Sequence, residues 1–202
     1  MPYTNYSWVT SHLAVGGLID EPAELPFDAI LSLETFAPVG LRELVTSGRV
    51  EYQWRSIPDY FSGEPHDVIV QRFDEAASII HCWLRGERSV LVHCLSGVSR
   101  SVAAVVWYLM RYEGLSWDAA LARVRASRST AFPDSRLEAA LRTAAGETWN
   151  DSWLEGRQEG SVEALRADLT RQGTLPLNAR IPRRRTSNIG SRSRRSRHNA
   201  AH

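Results

Sequence analysis

Short apolar runs separated by polar turns mark the first half of the chain. Residues 7–17 predict a first strand or strand pair ending at a Gly-Gly step, and residues 27–33 form a compact apolar run. Residues 50–57 alternate between polar and apolar until a proline, and residues 89–93 form a β-branched run. Runs of this length are typical of strands, and those without alternation predict strands buried on both faces.

Helical spacing of apolar residues dominates the part of the chain that follows. The segment 100–113 is apolar nearly all round, which predicts a central, buried helix. Asp, Ser and Pro-Asp signals at the expected starts support the other helices. The predicted helices cover residues 65 or 67 to 84, 100–113, 116–128 and 133–146, with shorter helical or turn segments at 20–25 and 41–47.

Strands and helices in this order predict an α/β domain with a central, largely parallel sheet flanked by helices. With 43% hydrophobic residues in a chain of 202, a sizeable core can be buried. We expect residues 1–146 to form one domain and residues 147–174 a short, partly helical extension. Residues 175–202 are rich in Arg, Ser, Asn and Gly and offer little to bury, which predicts a disordered, Arg-rich tail.

The formal net charge of +1 conceals an asymmetry along the chain. The last acidic residue is Asp168, whereas eight of the 24 basic residues lie between Arg180 and Arg197. A flexible basic segment of this kind attracts an acidic protein, anionic lipid or nucleic acid without sequence specificity. A merely solvated tail is the open alternative.

Several features bear on the compartment. No run of eighteen apolar residues is present, so no membrane span is expected. The first residues lack the charged and apolar regions of a signal peptide. Cys82 and Cys94 do not make a disulfide framework, and a reactive thiol favours a reducing compartment. A cytoplasmic location is the expectation, with a nuclear one open if the protein is eukaryotic.

The stretch from Val90 onward carries the candidate chemistry. A short strand leads through a small loop directly into a helix, with Cys94 at the turn and Arg100 six positions later. Backbone N–H groups at such a helix start bind a tetrahedral anion and favour the thiolate form of a cysteine placed among them. Arg100 offers a planar fork of donors to phosphoryl oxygens, and Ser101 places a hydroxyl near the thiolate. Gly97 permits a loop conformation that a side chain would obstruct.

The order His93, Cys94, five residues and Arg100 resembles the signature of the cysteine-dependent phosphatases. The fuller sequence through Ser101 resembles the dual-specificity protein phosphatases, and the resemblance covers roughly residues 5 to 145. It implies hydrolysis of phosphotyrosine and phosphoserine or phosphothreonine in proteins through a cysteinyl-phosphate, with no metal and no cofactor. The implied phosphate-binding residues are Leu95, Ser96, Gly97, Val98, Ser99 and Arg100.

Such a reaction needs an acid that protonates the leaving oxygen. The family carries it on a loop some thirty residues before the cysteine, and Asp59 is the choice here because it follows a predicted strand in a flexible segment. Asp67 is the rival, although it is expected to cap the following helix. Glu64 is a third candidate.

Three other functions stay open at this stage. A phosphoinositide or RNA 5′-phosphate phosphatase of the same superfamily is one, although the loop residues between Cys94 and Arg100 are neutral, which favours protein substrates. A phosphoprotein-binding module without turnover is the second, and an RNA-associated protein built around the Arg tail is the third. Cys82 lies on a predicted helix, where it is either indifferent or a partner for an oxidised Cys94.

Overall fold

The computed structural model describes residues 5–18, 25–34, 46–58 and 65–147. The helical segments expected at 20–25 and 41–47 fall largely outside these residues, as do the extension and the tail beyond Glu147. The elements of the described part are β1 (Tyr6–Trp8), β2 (Leu13–Gly16), β3 (Ala29–Ser32), β4 (Glu51–Trp54), α1 (His66–Arg85), β5 (Val90–His93), α2 (Arg100–Glu113), α3 (Trp117–Ser127) and α4 (Ser135–Ala144).

The strands form one sheet in the order β1-β2-β5-β3-β4. β1 pairs with β2 antiparallel, and the other neighbours are parallel, which confirms the prediction of a largely parallel sheet. Residues 7–17 prove to be a strand pair. The register matters for function, because Gly16 and Ser32 both pair with His93. The carboxyl ends of β2, β5 and β3 therefore meet at one edge, where ligand sites of parallel sheets form.

Helix α2 is central, as its apolar sequence predicts. Its residues from Arg100 to Leu109 are buried, and α1 packs against it along a stripe that includes Phe73 and Ile80. The Trp107 indole lies in this interface and donates to Asp74 of α1 at 2.9 Å. β5 is buried at every residue, so the strand before the loop and the helix after it are both held rigidly.

The start of α1 differs from the prediction for Asp67. The helix begins at His66 with Pro65 as its N-cap, and Asp67 lies exposed within the first turn. Pro65, with φ −60°, has no acceptor in its side chain, so no side chain caps the first N–H groups of the helix. The negative charge of Asp67 still interacts favourably with the positive end of the helix dipole.

The predicted starts of the last two helices are confirmed. The Ser116 side chain accepts from the Ala119 N–H at the start of α3, and the Asp134 side chain accepts from the Arg136 N–H at the start of α4. Both contacts satisfy backbone donors that have no partner within the helix. No helix in the described ranges is long and apolar enough to cross a membrane.

Candidate active site

Cys94 lies immediately after β5, where the three parallel strands end. Its amide continues the pairing with β2 by donating to the Gly16 carbonyl at 3.3 Å. Its side chain is 1% exposed. The sheet therefore fixes the backbone of the cysteine at its carboxyl edge, as the strand-to-loop pattern of the sequence predicts.

Ser101, in the first turn of α2, contacts the cysteine sulfur. Its Oγ lies 3.3 Å from Cys94 Sγ and donates to the Gly16 carbonyl at 3.0 Å. A serine hydroxyl has one proton, so donation to Gly16 leaves Oγ as the acceptor for a protonated thiol. When Cys94 is a thiolate, the same proton can turn to the sulfur instead. The structure thus brings these two predicted site residues together.

Arg100 opens α2 with a buried guanidinium, whose two terminal nitrogens contact protein oxygens. Nη2 lies 3.2 Å from Glu34 Oε1, and Nη1 donates to the carbonyls of Leu33 at 3.3 Å and Ile57 at 3.2 Å. The side chains of Arg100 and Glu34 are only 3% and 2% exposed. A buried ion pair is more stable when further acceptors satisfy its other donors, and the two carbonyls do this for Nη1. Segments following β3 and β4 therefore set the direction of the guanidinium.

His93, the last residue of β5, is a neutral neighbour of the cysteine. Its pKa is lowered from 6.5 to about 4, mainly because the ring is buried and further because of the charge of Arg100, while a bond to the Cys94 carbonyl opposes the shift. Nδ1 lies 3.4 Å from that carbonyl oxygen. Since a carbonyl only accepts, the contact assigns the ring proton to Nδ1. His93 therefore supports the loop backbone as a neutral donor.

Residues 95–99 form the predicted loop between β5 and α2. Gly97 has a φ of +70°, in the region that favours glycine. A Cβ at this position would lie 2.5 Å from the Gly16 carbonyl carbon and from the Gly17 nitrogen. Both the positive φ and the short distance to the backbone of Gly16 and Gly17 require glycine at position 97. Leu95, which follows Cys94 in the sequence, is by contrast 48% exposed.

Arg128 also contacts this loop, and it follows the end of α3. Its Nε donates to the Gly97 carbonyl at 2.7 Å, and its Nη2 donates to the Ser96 carbonyl at 3.1 Å. The residue is 4% exposed. A charged side chain that is buried against loop carbonyls stabilises their orientation.

Of the three candidates for the general acid, the structure describes only Asp67. Asp59 and Glu64 lie outside the described residues. The described segment ends at Pro58, one position after Ile57, whose carbonyl accepts from Arg100 at 3.2 Å. Asp67 is exposed on the first turn of α1.

The two cysteines are both free thiols in different environments. Cys94 is buried, whereas Cys82 is exposed on α1 and lines a surface cavity of about 380 Å³ with Trp83 and Arg88. No group of three or more His, Cys, Asp or Glu side chains in the described ranges is arranged to hold a metal ion.

Two residues of the site are absent from the sequence predictions. Glu34 is 66 positions from Arg100, and Arg128 is 31 positions from Gly97. In the sequence, Glu34 at the end of an apolar run and Arg128 at the end of a helix look like ordinary solvent-exposed charged residues. Only the structure shows that both are buried. A usable signal for Glu34 is that it directly follows an apolar run ending at the carboxyl edge of a predicted parallel strand.

The sequence is similar to a known protein family and to named relatives. The family model for the dual specificity phosphatase catalytic domain matches residues 19–145. Human dual specificity protein phosphatase 22 is 49% identical over 71 residues, which cover 35% of this chain and 38% of the relative. Rat dual specificity protein phosphatase 15 is 40% identical over 74 residues, covering 36% of this chain and 31% of the relative. The matched stretches thus span about a third of the length of these relatives.

Solved structures agree with this assignment. The crystal structure of Tk-PTP in its active form superposes with a TM-score of 0.58 at 26% identity, covering 72% of this chain and 99% of that one. The structure of DUSP15 has a TM-score of 0.59 at 24% identity, covering 83% and 97%, and shows the shared fold. Because the family model covers more than half of the sequence, the chain belongs to the dual specificity phosphatase catalytic-domain family.

Proposed function

We propose that this chain hydrolyses phosphotyrosine and phosphoserine or phosphothreonine in proteins through a cysteinyl-phosphate. The observation that carries the proposal is the buried Cys94 sulfur at the carboxyl edge of the sheet, 3.3 Å from the Ser101 hydroxyl and at the start of a loop closed by Arg100. A thiolate in this position is a nucleophile directed at an anion-binding loop. Membership in the family supports the same reading.

The first step transfers the phosphoryl group to sulfur. The Cys94 thiolate attacks phosphorus, the S–P bond forms and the P–O bond to the substrate breaks. Loop amides and the Arg100 guanidinium stabilise the equatorial oxygens. Asp59 gives its proton to the departing alkoxide or phenoxide, which general acid catalysis requires.

The second step returns the enzyme to its starting state. Water attacks phosphorus, its proton passes to the Asp59 carboxylate, and the S–P bond breaks. The Ser101 hydroxyl turns from the Gly16 carbonyl to donate to the leaving Cys94 thiolate. Inorganic phosphate departs. All groups that the two steps need belong to the chain, so the reaction runs without a metal ion or cofactor.

The neutral loop supports protein substrates over phosphoinositides and RNA 5′-phosphates. Leu95, Ser96, Val98 and Ser99 carry no charge, whereas a substrate with several phosphates favours basic side chains next to the reacting one. The exposed Leu95 offers an apolar contact to a substrate side chain. A reducing compartment such as the cytoplasm keeps Cys94 in its reactive form.

The deciding experiment measures p-nitrophenyl phosphate hydrolysis by the wild type and Cys94→Ser, each with EDTA. We expect no turnover by Cys94→Ser and no effect of EDTA on the wild type. Cys82→Ser is the matched control, because it removes the exposed thiol of α1 and should retain full activity. Full activity of Cys94→Ser contradicts the mechanism, and release of phosphate from phosphoinositides but not from phosphopeptides contradicts the substrate class.

We also propose that the Arg-rich segment 180–197 adds a salt-dependent attraction to an acidic protein or nucleic acid. Its support is compositional, since the segment holds eight Arg and lies beyond the last acidic residue, Asp168. Deleting residues 175–202 should abolish retention on RNA or on an acidic peptide and leave p-nitrophenyl phosphate hydrolysis unchanged. Retention that survives the deletion contradicts the proposal.

A further inference from the structure

Arg128 is a buried arginine whose contacts include three neutral oxygens. Nε donates to the Gly97 carbonyl at 2.7 Å, and Nη2 donates to the Ser96 carbonyl at 3.1 Å and to Asn5 Oδ1 at 2.9 Å. With only 4% of its surface exposed, the side chain has given up its hydration. Burial of a charge is costly unless its donors are hydrogen-bonded. The planar guanidinium has several donors, which allows it to bond these oxygens at the same time.

The two loop carbonyls fix the orientation of the loop amides. In a trans peptide group the C=O and the N–H point in opposite directions. Arg128 draws the Ser96 and Gly97 carbonyls toward itself, so the N–H groups of Gly97 and Val98 point away from the guanidinium. Amides of a loop at a helix start are the groups that bind a tetrahedral anion.

The connection that carries Arg128 holds the rest of the loop as well. The Phe132 N–H donates to the Val98 carbonyl at 2.8 Å, and the Asp134 N–H donates to the Ser99 hydroxyl at 2.9 Å. Loop positions 96 to 99 are thus each bonded to residues between 128 and 134. Arg128 supplies the bonds to the first two positions.

Gly97 and Asn5 show how closely this contact is built. A Cβ on Gly97 would collide with Arg128 Nη2, so the absence of a side chain there admits the guanidinium. Asn5 holds the guanidinium from the strand side, and its carbonyl accepts from the Gly17 N–H at 2.8 Å. The arginine therefore bridges the loop to the segment preceding β1.

We propose that Arg128 is a positioning residue for phosphate binding, which sets the peptide groups 96–97 and 97–98 so that their N–H groups receive the phosphoryl oxygens. The inference deepens the proposed function and rests on its phosphate-binding loop. Arg128 acts on the loop backbone and does not touch the substrate.

The test compares Arg128→Lys and Arg128→Met with Arg125→Ala. Lysine keeps the charge, but its single ammonium cannot reproduce the fork that serves both carbonyls. Arg125 is the matched control, because it donates to the Ala131 carbonyl in the same connection and is exposed. Tungstate, a tetrahedral oxyanion, is titrated by calorimetry, and kcat and KM are measured with p-nitrophenyl phosphate. Unfolding curves identify the folded variants.

We expect the dissociation constant for tungstate to rise about tenfold in both folded Arg128 variants, the loss expected for misdirected hydrogen bonds to an anion. KM should rise by a similar factor, and Arg125→Ala should match the wild type in both measurements. A folded Arg128→Lys or Arg128→Met with wild-type tungstate affinity overturns the proposal, because a merely structural role lowers stability alone.

If both Arg128 variants fail to fold, the proposal is tested by a measurement on the wild-type protein. Tungstate binding should slow hydrogen exchange of the Arg128 Nε–H, seen by ¹⁵N NMR, since its acceptor is a peptide group of the loop, and leave the Arg125 Nε–H unchanged. An unaffected Arg128 signal overturns the proposal. A wild type that binds tungstate with the expected slowing of Arg128 Nε–H exchange, but has no phosphatase activity, contradicts the proposed function and leaves the positioning role intact.

Discussion

The carboxylate of Glu34 lies 3.2 Å from the guanidinium of Arg100, and both side chains are almost completely buried. Glu34 follows β3 and Arg100 begins α2, so the pair joins the sheet edge to the helix that supports the loop. A guanidinium tied to a carboxylate and to the Leu33 and Ile57 carbonyls has one fixed direction. Its geometry is set before any phosphate arrives, which reduces the entropy lost on binding.

Removal of Glu34 should therefore destabilise the fold strongly. Glu34→Ala leaves a buried guanidinium without its carboxylate, and we expect the free energy of unfolding to fall by about 3 kcal/mol. Urea unfolding measures the change. Glu113→Ala is the control, because its bond to Arg123 at 2.6 Å lies on the surface and should contribute about 1 kcal/mol or less. Equal losses in the two variants contradict the importance of the buried pair.

Gly97→Ala should destabilise the protein more than Gly114→Ala, although the two glycines have nearly the same φ. Gly97 and Gly114 have φ values of +70° and +71°, but a Cβ on Gly114 meets nothing within 4 Å. Gly114→Ala should cost about 1 kcal/mol, the price of the left-handed conformation alone. Gly97→Ala adds collisions with Gly16 and Arg128, so we expect a larger loss of stability and weaker tungstate binding. Thermal unfolding of both variants measures the difference, and equal melting temperatures contradict it.

Ser101→Ala should slow the second chemical step more than the first. The hydroxyl, 3.3 Å from Cys94 Sγ, stabilises the sulfur when it leaves as a thiolate. A hydrogen bond to a charged group of this kind accounts for about a tenfold to hundredfold change in rate. Stopped-flow hydrolysis of p-nitrophenyl phosphate should then show a burst of p-nitrophenolate before a slow steady state. A uniformly slower reaction without a burst argues against this role.

Burial of His93 should make stability depend on pH. Its pKa falls from 6.5 in the unfolded chain to about 4 in the folded one, so between these values the unfolded chain binds more protons. The contribution of neutral His93 is complete above pH 6.5 and is lost as the pH falls toward 4, by about 3 kcal/mol at most. His93→Asn should flatten this part of the stability curve, since carboxylate titrations common to both proteins cancel in the difference. Parallel curves for the two proteins contradict the assignment.

The sequence predicts the part of the site that follows from local pattern. The β-branched run before Cys94, the glycine of the loop and the apolar helix after Arg100 are neighbours in the chain, and their arrangement is read from spacing. Glu34 and Arg128 reach the loop across long separations. Their partners depend on the register of β3 with β5 and on where α3 ends, which no local pattern encodes. The cap of α1 is a different case: the pattern predicts Asp67 as the cap, but the helix begins one residue earlier, directly after Pro65.

The identity of the general acid is decided by leaving groups of different basicity. Asp59→Asn should lower kcat on a phosphoserine peptide by about a hundredfold or more, because an alkoxide cannot leave without a proton. The loss should be much smaller on p-nitrophenyl phosphate, since p-nitrophenolate leaves easily. Asp59 is chosen because it follows a predicted strand before the cysteine, and the contact of the nearby Ile57 carbonyl with Arg100 supports the choice.

Asp67→Asn and Glu64→Gln are the matched tests of the rival acids. Asp67 is exposed on the first turn of α1, where its carboxylate interacts favourably with the positive end of the helix dipole. We expect Asp67→Asn to reduce stability by about 0.5 kcal/mol and to leave both substrates at wild-type kcat. The basic limb of the kcat profile against pH on the phosphoserine peptide, where the acid loses its proton, should be unchanged in both rival variants and altered in Asp59→Asn. A leaving-group-dependent loss in Asp67→Asn or Glu64→Gln, with Asp59→Asn unimpaired, moves the acid to that residue and leaves the nucleophile in place.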